Sequence, residues 1–265
     1  MKHLFKDWGS VQDRIRQASD LFFLLDYDGT LTPIVSRPEL AFCPPQVKII
    51  LEQLRDTPHV FLSVISGRSL EDIRKKVGLP GITYVGNHGL DIQNPAGMHK
   101  KILSPSRQKE LGKITQRLRE SIGEIPGIFF EDKGSLLAVH YRNVAQKHIM
   151  RIQEILEETL AGHRGRWKAT PGKMVVEIQP EVDFHKGKSV KELLKGTPRD
   201  LLPVYLGDDR SDEDAFREVK GRGITVLVGP EMRASEAEYY LENPSEVQGF
   251  LLRCAKVMRD KIGQS

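Results

Sequence analysis

The sequence predicts a doubly wound α/β core interrupted by an inserted α+β domain. Three observations carry this expectation. Short, largely apolar runs stop at polar clusters, as buried parallel strands do. Helical patterns separate those runs, which is the alternation of a doubly wound sheet. A middle segment breaks the alternation, reading helix then strand pair, twice over.

Taken in order, Phe5–Ala18 places Phe5, Trp8, Val11 and Ile15 at helical spacing. Leu21–Leu25 is the first apolar run and ends at Asp26. Val60–Ile65 ends at Ser66-Gly67-Arg68, and Ile82–Val85 ends at Gly86-Asn87-His88-Gly89. Pro203–Leu206 ends at Gly207-Asp208-Asp209, and Ile224–Val228 at Gly229-Pro230. Helices are expected between them over Pro45–Arg55, Ser69–Val77, Lys186–Lys195 and Ser211–Val219. The insert reads as helix Ser106–Ile122, strands Ile128–Phe130 and Leu136–Tyr141, helix Ala145–Leu160, then strands Arg166–Ala169 and Met174–Ile178. Asn94-Pro95-Ala96-Gly97 and Gln179-Pro180 are the expected hinges. The domains expected are thus a core from 1–92 and 181–265, with the insert at 93–180.

With 39% hydrophobic and 29% charged residues the chain is composed like a folded globular domain, which excludes global disorder. No apolar run reaches the length of a membrane span, and Met1–Ser10 has no signal-peptide segment. Two cysteines, Cys43 and Cys254, are too few for a disulfide framework. A cytoplasmic location is therefore expected, with no membrane or nucleic-acid partner. Oligomeric state is open, a monomer being the simplest form. By count of formal charges the insert carries roughly +6 and the core is slightly acidic, a distribution that would favour an anionic substrate.

Functional residues in doubly wound sheets gather at the carboxyl ends of the strands, where every polar cluster above falls. Asp26-Tyr27-Asp28-Gly29 sets two carboxylates two residues apart just past a buried strand. That is costly unless a cation lies between them, and Mg²⁺, which prefers oxygen ligands, suits the role. A strand-to-turn junction with aspartate as turn former is the structural alternative. Asp208 precedes a helix, so capping explains it less well than it explains Ser211, Glu213 and Asp214. With Asp26 and Asp28 it completes a candidate metal site, and Asp212 is a candidate to support or join it. Ser66 and Lys186 offer a hydroxyl and an ammonium for phosphate oxygens. Each of these two alone would read as a cap or a surface lysine.

Together, Asp26–Leu31, Ser66, Lys186-Gly187 and Asp208–Asp212 resemble, in order, the four motifs of the haloacid dehalogenase (HAD) superfamily. The resemblance implies a Rossmann-like HAD core with a type-two (C2B-like) cap as the insert. It implies Asp26 as nucleophile forming an aspartyl-phosphate, Asp28 as general acid and base, and Ser66 and Lys186 as phosphoryl holders. Mg²⁺ would be held by Asp26, by Asp28 through its backbone carbonyl, and by Asp208, with Asp212 nearby.

Further blocks are similar to the trehalose-6-phosphate phosphatases of that superfamily. They include Leu25–Ile34, Ile65–Arg68, Gly86–Gly89, Val139–Arg142, Lys173–Ile178, His185–Lys188 and Gly207–Phe216. The implied activity is hydrolysis of trehalose 6-phosphate, the last step of trehalose biosynthesis. A related phosphatase acting on sucrose 6-phosphate, glucosylglycerol phosphate or a mannosylglycerate precursor is the alternative. Ser211 stands where that family often has Thr, and His185 where it has Asn or Asp. If Met174–Ile178 is a strand, Lys173 and Glu177 share one face with Val175, and Glu131 and Lys133 match in parity. Glu131, Lys133, Arg142, Lys173 and Glu177 are accordingly expected to bind sugar hydroxyls, with Arg68, Asn87 and His88 meeting substrate nearer the phosphate. Cross-strand ion pairs on a solvated sheet face are the alternative for the residues in the insert.

Overall fold

The computed structural model describes residues 1–35, 41–172, 174–230 and 234–263. Its elements are β1 (Lys2–His3), α1 (Trp8–Gln17), β2 (Asp20–Asp26), α2 (Pro45–Arg55), β3 (Val60–Ile65), α3 (Leu70–Val77), β4 (Thr83–Gly86), β5 (Asp91–Gln93) and β6 (His99–Lys101). They continue with α4 (Pro105–Ile122), β7 (Phe129–Asp132), β8 (Leu137–His140), α5 (Gln146–Ala161), β9 (Trp167–Gly172) and β10 (Val175–Pro180). The chain closes with α6 (Lys186–Leu193), β11 (Leu201–Gly207), α7 (Glu213–Val219), β12 (Ile224–Val228), β13 (Tyr239–Leu241) and α8 (Pro244–Ile262). The chain divides into two compact units, 1–99 with 184–265, and 100–183.

In the first unit, the strands follow the order β1-β13-β12-β11-β2-β3-β4-β5-β6. Pairing is parallel from β1 through to β4, and β5 runs antiparallel to β4. From β2 the chain winds outward through β3 and β4, then returns to the other side of β2 with β11. The order therefore reverses between β2 and β11, and a crevice opens beyond the carboxyl ends of those strands.

Strand β2 is apolar from Leu21 to Leu25 because both of its faces are covered. Successive side chains alternate sides. Leu21, Phe23 and Leu25 join the cluster formed with Val11 and Ile15 of α1, Val47, Ile50 and Leu54 of α2, Ile73 of α3 and Phe250 of α8. Phe22 and Leu24 join Val190 of α6 and Phe216 and Val219 of α7 on the opposite face. Each buried leucine or phenylalanine contributes about 1.5–3 kcal/mol relative to exposure, so this double burial holds β2 in register.

Local signals set the helix ends. Ser69 caps α3 by accepting a hydrogen bond from the Asp72 amide, and Gly78 ends that helix with φ of 61°. The segment expected as helix from Phe5 begins as a 3-10 turn, Leu4–Asp7, before α1. The helix expected from Ser211 likewise starts with a 3-10 turn, Arg210–Asp212, ahead of α7.

The second unit is a sheet in the order β7-β8-β10-β9, all antiparallel, with α4 and α5 on one face. Phe130, Leu137, Val139, Val176 and Ile178 point into a core with Leu111, Ile114, Leu118, Ile152 and Leu156. By alternation, Glu131, His140 and Glu177 lie on the other face. The two expected hinges are both built into structure. Asn94–Gly97 is a turn closed by Gly97 N to Asn94 O (2.9 Å) between β5 and β6. Gln179 and Pro180 end β10, where Pro180 still pairs with Trp167 of β9. Proline is tolerated at a strand end because it removes only one ladder hydrogen bond.

Candidate active site

Asp26 is the last residue of β2, level with Ile65 of β3, and is only 4% exposed. The next turn folds back on itself: Gly29 N donates to Thr32 O (2.8 Å) and Leu31 N to Tyr27 O (3.0 Å). Gly29 adopts φ of +84°, and a Cβ there would stand 2.0 Å from Asp208 Oδ2. Only glycine meets both conditions, the left-handed backbone and the close carboxylate. Asp208 follows β11 across the switch point, so the sheet topology brings Asp26 and Asp208 together across 182 residues of sequence (208 minus 26).

Asp212 completes a carboxylate trio. Ligand oxygens of Asp26, Asp208 and Asp212 lie within 4.8 Å of one another. Lys186, the first residue of α6 and 4% exposed, donates through Nζ to Asp26 Oδ1 (2.6 Å) and to Asp212 Oδ1 (2.8 Å). Tyr205 Oη donates to the same Asp212 oxygen (2.7 Å), and the Asp209 amide donates to Asp212 Oδ2 (3.0 Å). Both oxygens of Asp212 are thus engaged within the protein. Asp26 Oδ2, by contrast, is buried and has no hydrogen-bond partner.

The electrostatics follow from this burial. Loss of solvent pushes the Asp26 carboxyl well above its usual range, against the pull of Lys186, and the charges of Asp212 and Asp208 push it further up. Burial, and then Asp212, raise Asp208 to about 6. Burial works against the charged form of Lys186, but Asp26 and Asp212 outweigh it and hold the side chain as an ammonium. Three carboxyl groups thus crowd around one ammonium in a largely buried crevice. An all-oxygen donor set with one buried oxygen lacking a partner fits a hard divalent cation.

Ser66 and the residues after it form a second wall. The Ser66 hydroxyl accepts from Arg68 N (3.1 Å), and its amide donates to Val85 O (2.9 Å). Asn87 N donates to Arg68 O (2.7 Å) and His88 N to Ser66 O (3.1 Å), so the β4 turn clamps the β3 turn. This clamp needs both Asn87 and His88 in left-handed conformations, φ 51° and 55°. The His88 ring lies over Gly67, where a Cβ would meet it at 2.4 Å.

The geometry groups the expected site residues unevenly. Asp26, Asp208, Asp212 and Lys186 converge. The Asp28 side chain stands apart from that trio and receives both Nε and Nη2 of Arg68, each at 2.7 Å. Asn87 is fully buried and donates through Nδ2 to Asp91 (2.5 Å), itself 3% exposed. In the second unit, Lys133 Nζ pairs with Glu177 Oε1 (2.9 Å) and His140 with Glu131 (3.0 Å), on one polar sheet face. Arg142 lies two residues beyond the end of β8. Lys173 lies outside the described residues. Tyr205, Asp72 and Asp91 were not singled out from the sequence. Tyr205 reads there as one more apolar strand residue, and Asp72 as a helix-capping acid. Asp91 carries only its spacing of four from Asn87.

Known proteins resemble this chain over most of its length. The family model described as Trehalose-phosphatase matches residues 24–245. "Trehalose-phosphate phosphatase B" of Arabidopsis thaliana is 33% identical over 264 residues, covering 94% of this chain and 70% of that protein. "Trehalose-phosphate phosphatase" of Mycobacterium ulcerans is 36% identical over 238 residues, covering 87% of this chain and 60% of that protein. The chain therefore spans between 60% and 70% of the length of these two relatives. Among solved structures, a trehalose-6-phosphate phosphatase of Aspergillus fumigatus superimposes with a TM-score of 0.66 at 29% identity, covering 97% of this chain and 99% of that one.

Proposed function

The chain belongs to the trehalose-phosphatase family, and from that membership and the carboxylate crevice we propose that it hydrolyses trehalose 6-phosphate to trehalose and phosphate. The observation that carries the reading is the state of Asp26: buried, fixed through one oxygen by Lys186, with its other oxygen unpartnered. A nucleophilic carboxylate needs that combination of orientation and an available oxygen.

In the proposed sequence, an Asp26 oxygen attacks phosphorus and the bond from phosphorus to the sugar oxygen breaks. Asp28 gives its proton to that leaving oxygen. Water then attacks the aspartyl-phosphate, Asp28 takes up a proton from it, and the bond from phosphorus to Asp26 breaks. Phosphate leaves and Asp26 is regenerated. Ser66 and Lys186 hold the phosphoryl oxygens, and Lys186 also pulls Asp26 toward its ionised form. Asp26, the Asp28 backbone carbonyl and Asp208 would hold Mg²⁺, while Asp212 orients Lys186. When bound, the ion neutralises charge that builds on the transferring phosphoryl group.

Sugar recognition is assigned to Glu131, Lys133 and Glu177 on the polar sheet face of the second unit, together with Arg142 and Lys173. A disaccharide presents many hydroxyls, and alternating acids and bases supply both acceptors and donors for them. His88 is kept near the phosphate. Among the described residues no helix is long and apolar enough to cross a membrane.

The test is phosphate release with Mg²⁺ from trehalose 6-phosphate, sucrose 6-phosphate and glucose 6-phosphate, with Asp26→Asn as the blank. A strong preference for trehalose 6-phosphate, lost in that variant and in EDTA, is the expected outcome. A preference for another sugar phosphate would overturn the sugar assignment and leave the chemistry standing. Inactivity on all three would overturn both.

A further inference from the structure

We propose that Arg68 is a positioning residue that sets the orientation of the Asp28 carboxylate, and that it serves the reaction through Asp28 rather than by touching substrate. The proposal rests on the acid–base role given to Asp28 above.

Arg68 is fixed at both of its ends. Its amide donates to Ser66 Oγ (3.1 Å) and its carbonyl accepts from Asn87 N (2.7 Å), so the backbone is held by the β3 and β4 turns. Its guanidinium presents Nε and Nη2 as a fork to the two oxygens of Asp28, at 2.7 Å each. Nη1 points the other way and donates to Asp72 Oδ2 (2.9 Å), in the first turn of α3. The guanidinium carbon also stands 5.7 Å from the centre of the buried Tyr27 ring, within cation–π range. Backbone, fork, counter-anion and ring together determine where the guanidinium plane lies.

A fork of two parallel hydrogen bonds fixes the plane of a carboxylate as well as its distance. Without it, Asp28 sits in a turn and is free to rotate about χ1 and χ2. The exposures agree with an indirect role. The Arg68 side chain is 11% exposed while that of Asp28 is 41% exposed, so Asp28 is the member of the pair that faces solvent. General acid–base catalysis demands a proton donor within hydrogen-bond reach of the reacting oxygen, and misplacement by about 1 Å costs on the order of 10²-fold. The role also explains the strained β4 turn. Left-handed Asn87 and His88 are needed for the two amides that clamp Ser66 and Arg68, so the strain serves to place Arg68.

The test is a double-mutant cycle on the purified chain, measuring the single-turnover rate of the first phosphoryl transfer by rapid quench. The variants are Arg68→Ala, Arg68→Lys, Asp28→Asn and the Arg68→Ala/Asp28→Asn pair. Two donors are used: trehalose 6-phosphate, whose leaving alkoxide needs a proton, and acetyl phosphate, whose leaving acetate does not. Arg68→Ala should slow transfer from trehalose 6-phosphate by about 10–100-fold with KM changed less than about 3-fold. Transfer from acetyl phosphate should fall by less than about 3-fold, because proton donation is not needed there. In the Asp28→Asn background the same change should cost less than about 2-fold. Arg68→Lys keeps the charge but loses the fork and should fall between the wild type and the alanine variant. It carries the test if Arg68→Ala does not fold.

Equal losses with both donors, additive losses in the cycle, or a raised KM at unchanged rate would overturn the proposal, the last pointing to direct substrate contact. A normal rate in Asp28→Asn would overturn the acid–base role itself, and is distinguishable from a full Asp28 effect with an additive Arg68 loss.

Discussion

Lys186 bridges two of the three clustered carboxyl groups, so replacing it with methionine isolates the electrostatics of the crevice. Methionine keeps most of the side-chain volume, which leaves charge as the main change. The ammonium lies 2.6 Å from Asp26 and 2.8 Å from Asp212, and those two side chains are 6% and 0% exposed. Breaking a buried pair by removing one partner costs about 3–5 kcal/mol, because the remaining charge stays buried and uncompensated. Against a typical stability of about 5–15 kcal/mol this is a large fraction.

The pH dependence gives the reasoning its sharper edge. Asp26 and Asp208 have folded-state pKa values above their unfolded ones. Such groups contribute stability that is present at low pH and lost as pH rises through the folded value. Without the ammonium that loss deepens, since its pull toward the ionised forms is gone. Urea unfolding of metal-free Lys186→Met should show a deficit of about 3–5 kcal/mol at pH 8, shrinking to below about 2 kcal/mol at pH 5. Adding Asp26→Asn should recover part of the loss at pH 8, because one buried charge is gone. A deficit under about 1 kcal/mol at pH 8, or one indifferent to pH, would refute this account of the crevice.

Two further outcomes follow from the same geometry. Gly29→Ala must place a left-handed alanine, costing about 1–2 kcal/mol, and must displace the Asp208 carboxylate that lies 2.0 Å from the new Cβ. Calorimetric titration should show Mg²⁺ affinity reduced by about 10-fold or more, and an unchanged affinity would remove Asp208 from the site. Because burial and then Asp212 push the metal-free Asp208 carboxyl up to about 6, its share of the protons released on Mg²⁺ binding should fall between pH 6 and pH 8. Titration in buffers of different ionisation enthalpy measures this, and equal release at both pH values would contradict it.

Much of the core was legible because it is buried on both sides. Leu21–Leu25 is a continuous apolar run for that reason and Val60–Ile65 is apolar but for Ser63, and each ends at a site residue at the carboxyl edge of the sheet. The inserted sheet was legible through alternation, which put Glu131 and Glu177 on one face. Strands β1, β5 and β6 were not anticipated, since two or three residues show no period. Strand β13 is equally short. Helix α8 does carry a helical period, with Val247, Phe250, Leu251, Cys254 and Met258 buried, and Asn243 caps it, yet it offers no motif to draw attention.

The site divides in the same way. Asp26, Asp208 and Lys186 follow strands or open a helix, so their neighbourhood could be inferred from topology. The bond from Arg68 to Asp28 spans 40 residues and joins two turns, and no spacing rule relates them. Asn87 is expected from the sequence to meet substrate near the phosphate, whereas the structure buries it against Asp91 in a left-handed turn. Tyr205 looks like any strand apolar, and only the fold reveals that its hydroxyl anchors Asp212.

The most direct measurement of the central claim is acid quench of the chain during turnover of trehalose 6-phosphate, followed by peptide mass analysis. The account predicts a phosphoryl adduct on the peptide carrying Asp26, decaying in step with phosphate release and absent in Asp26→Asn. Phosphate release with no adduct at any time, or an adduct that survives in Asp26→Asn, would contradict it.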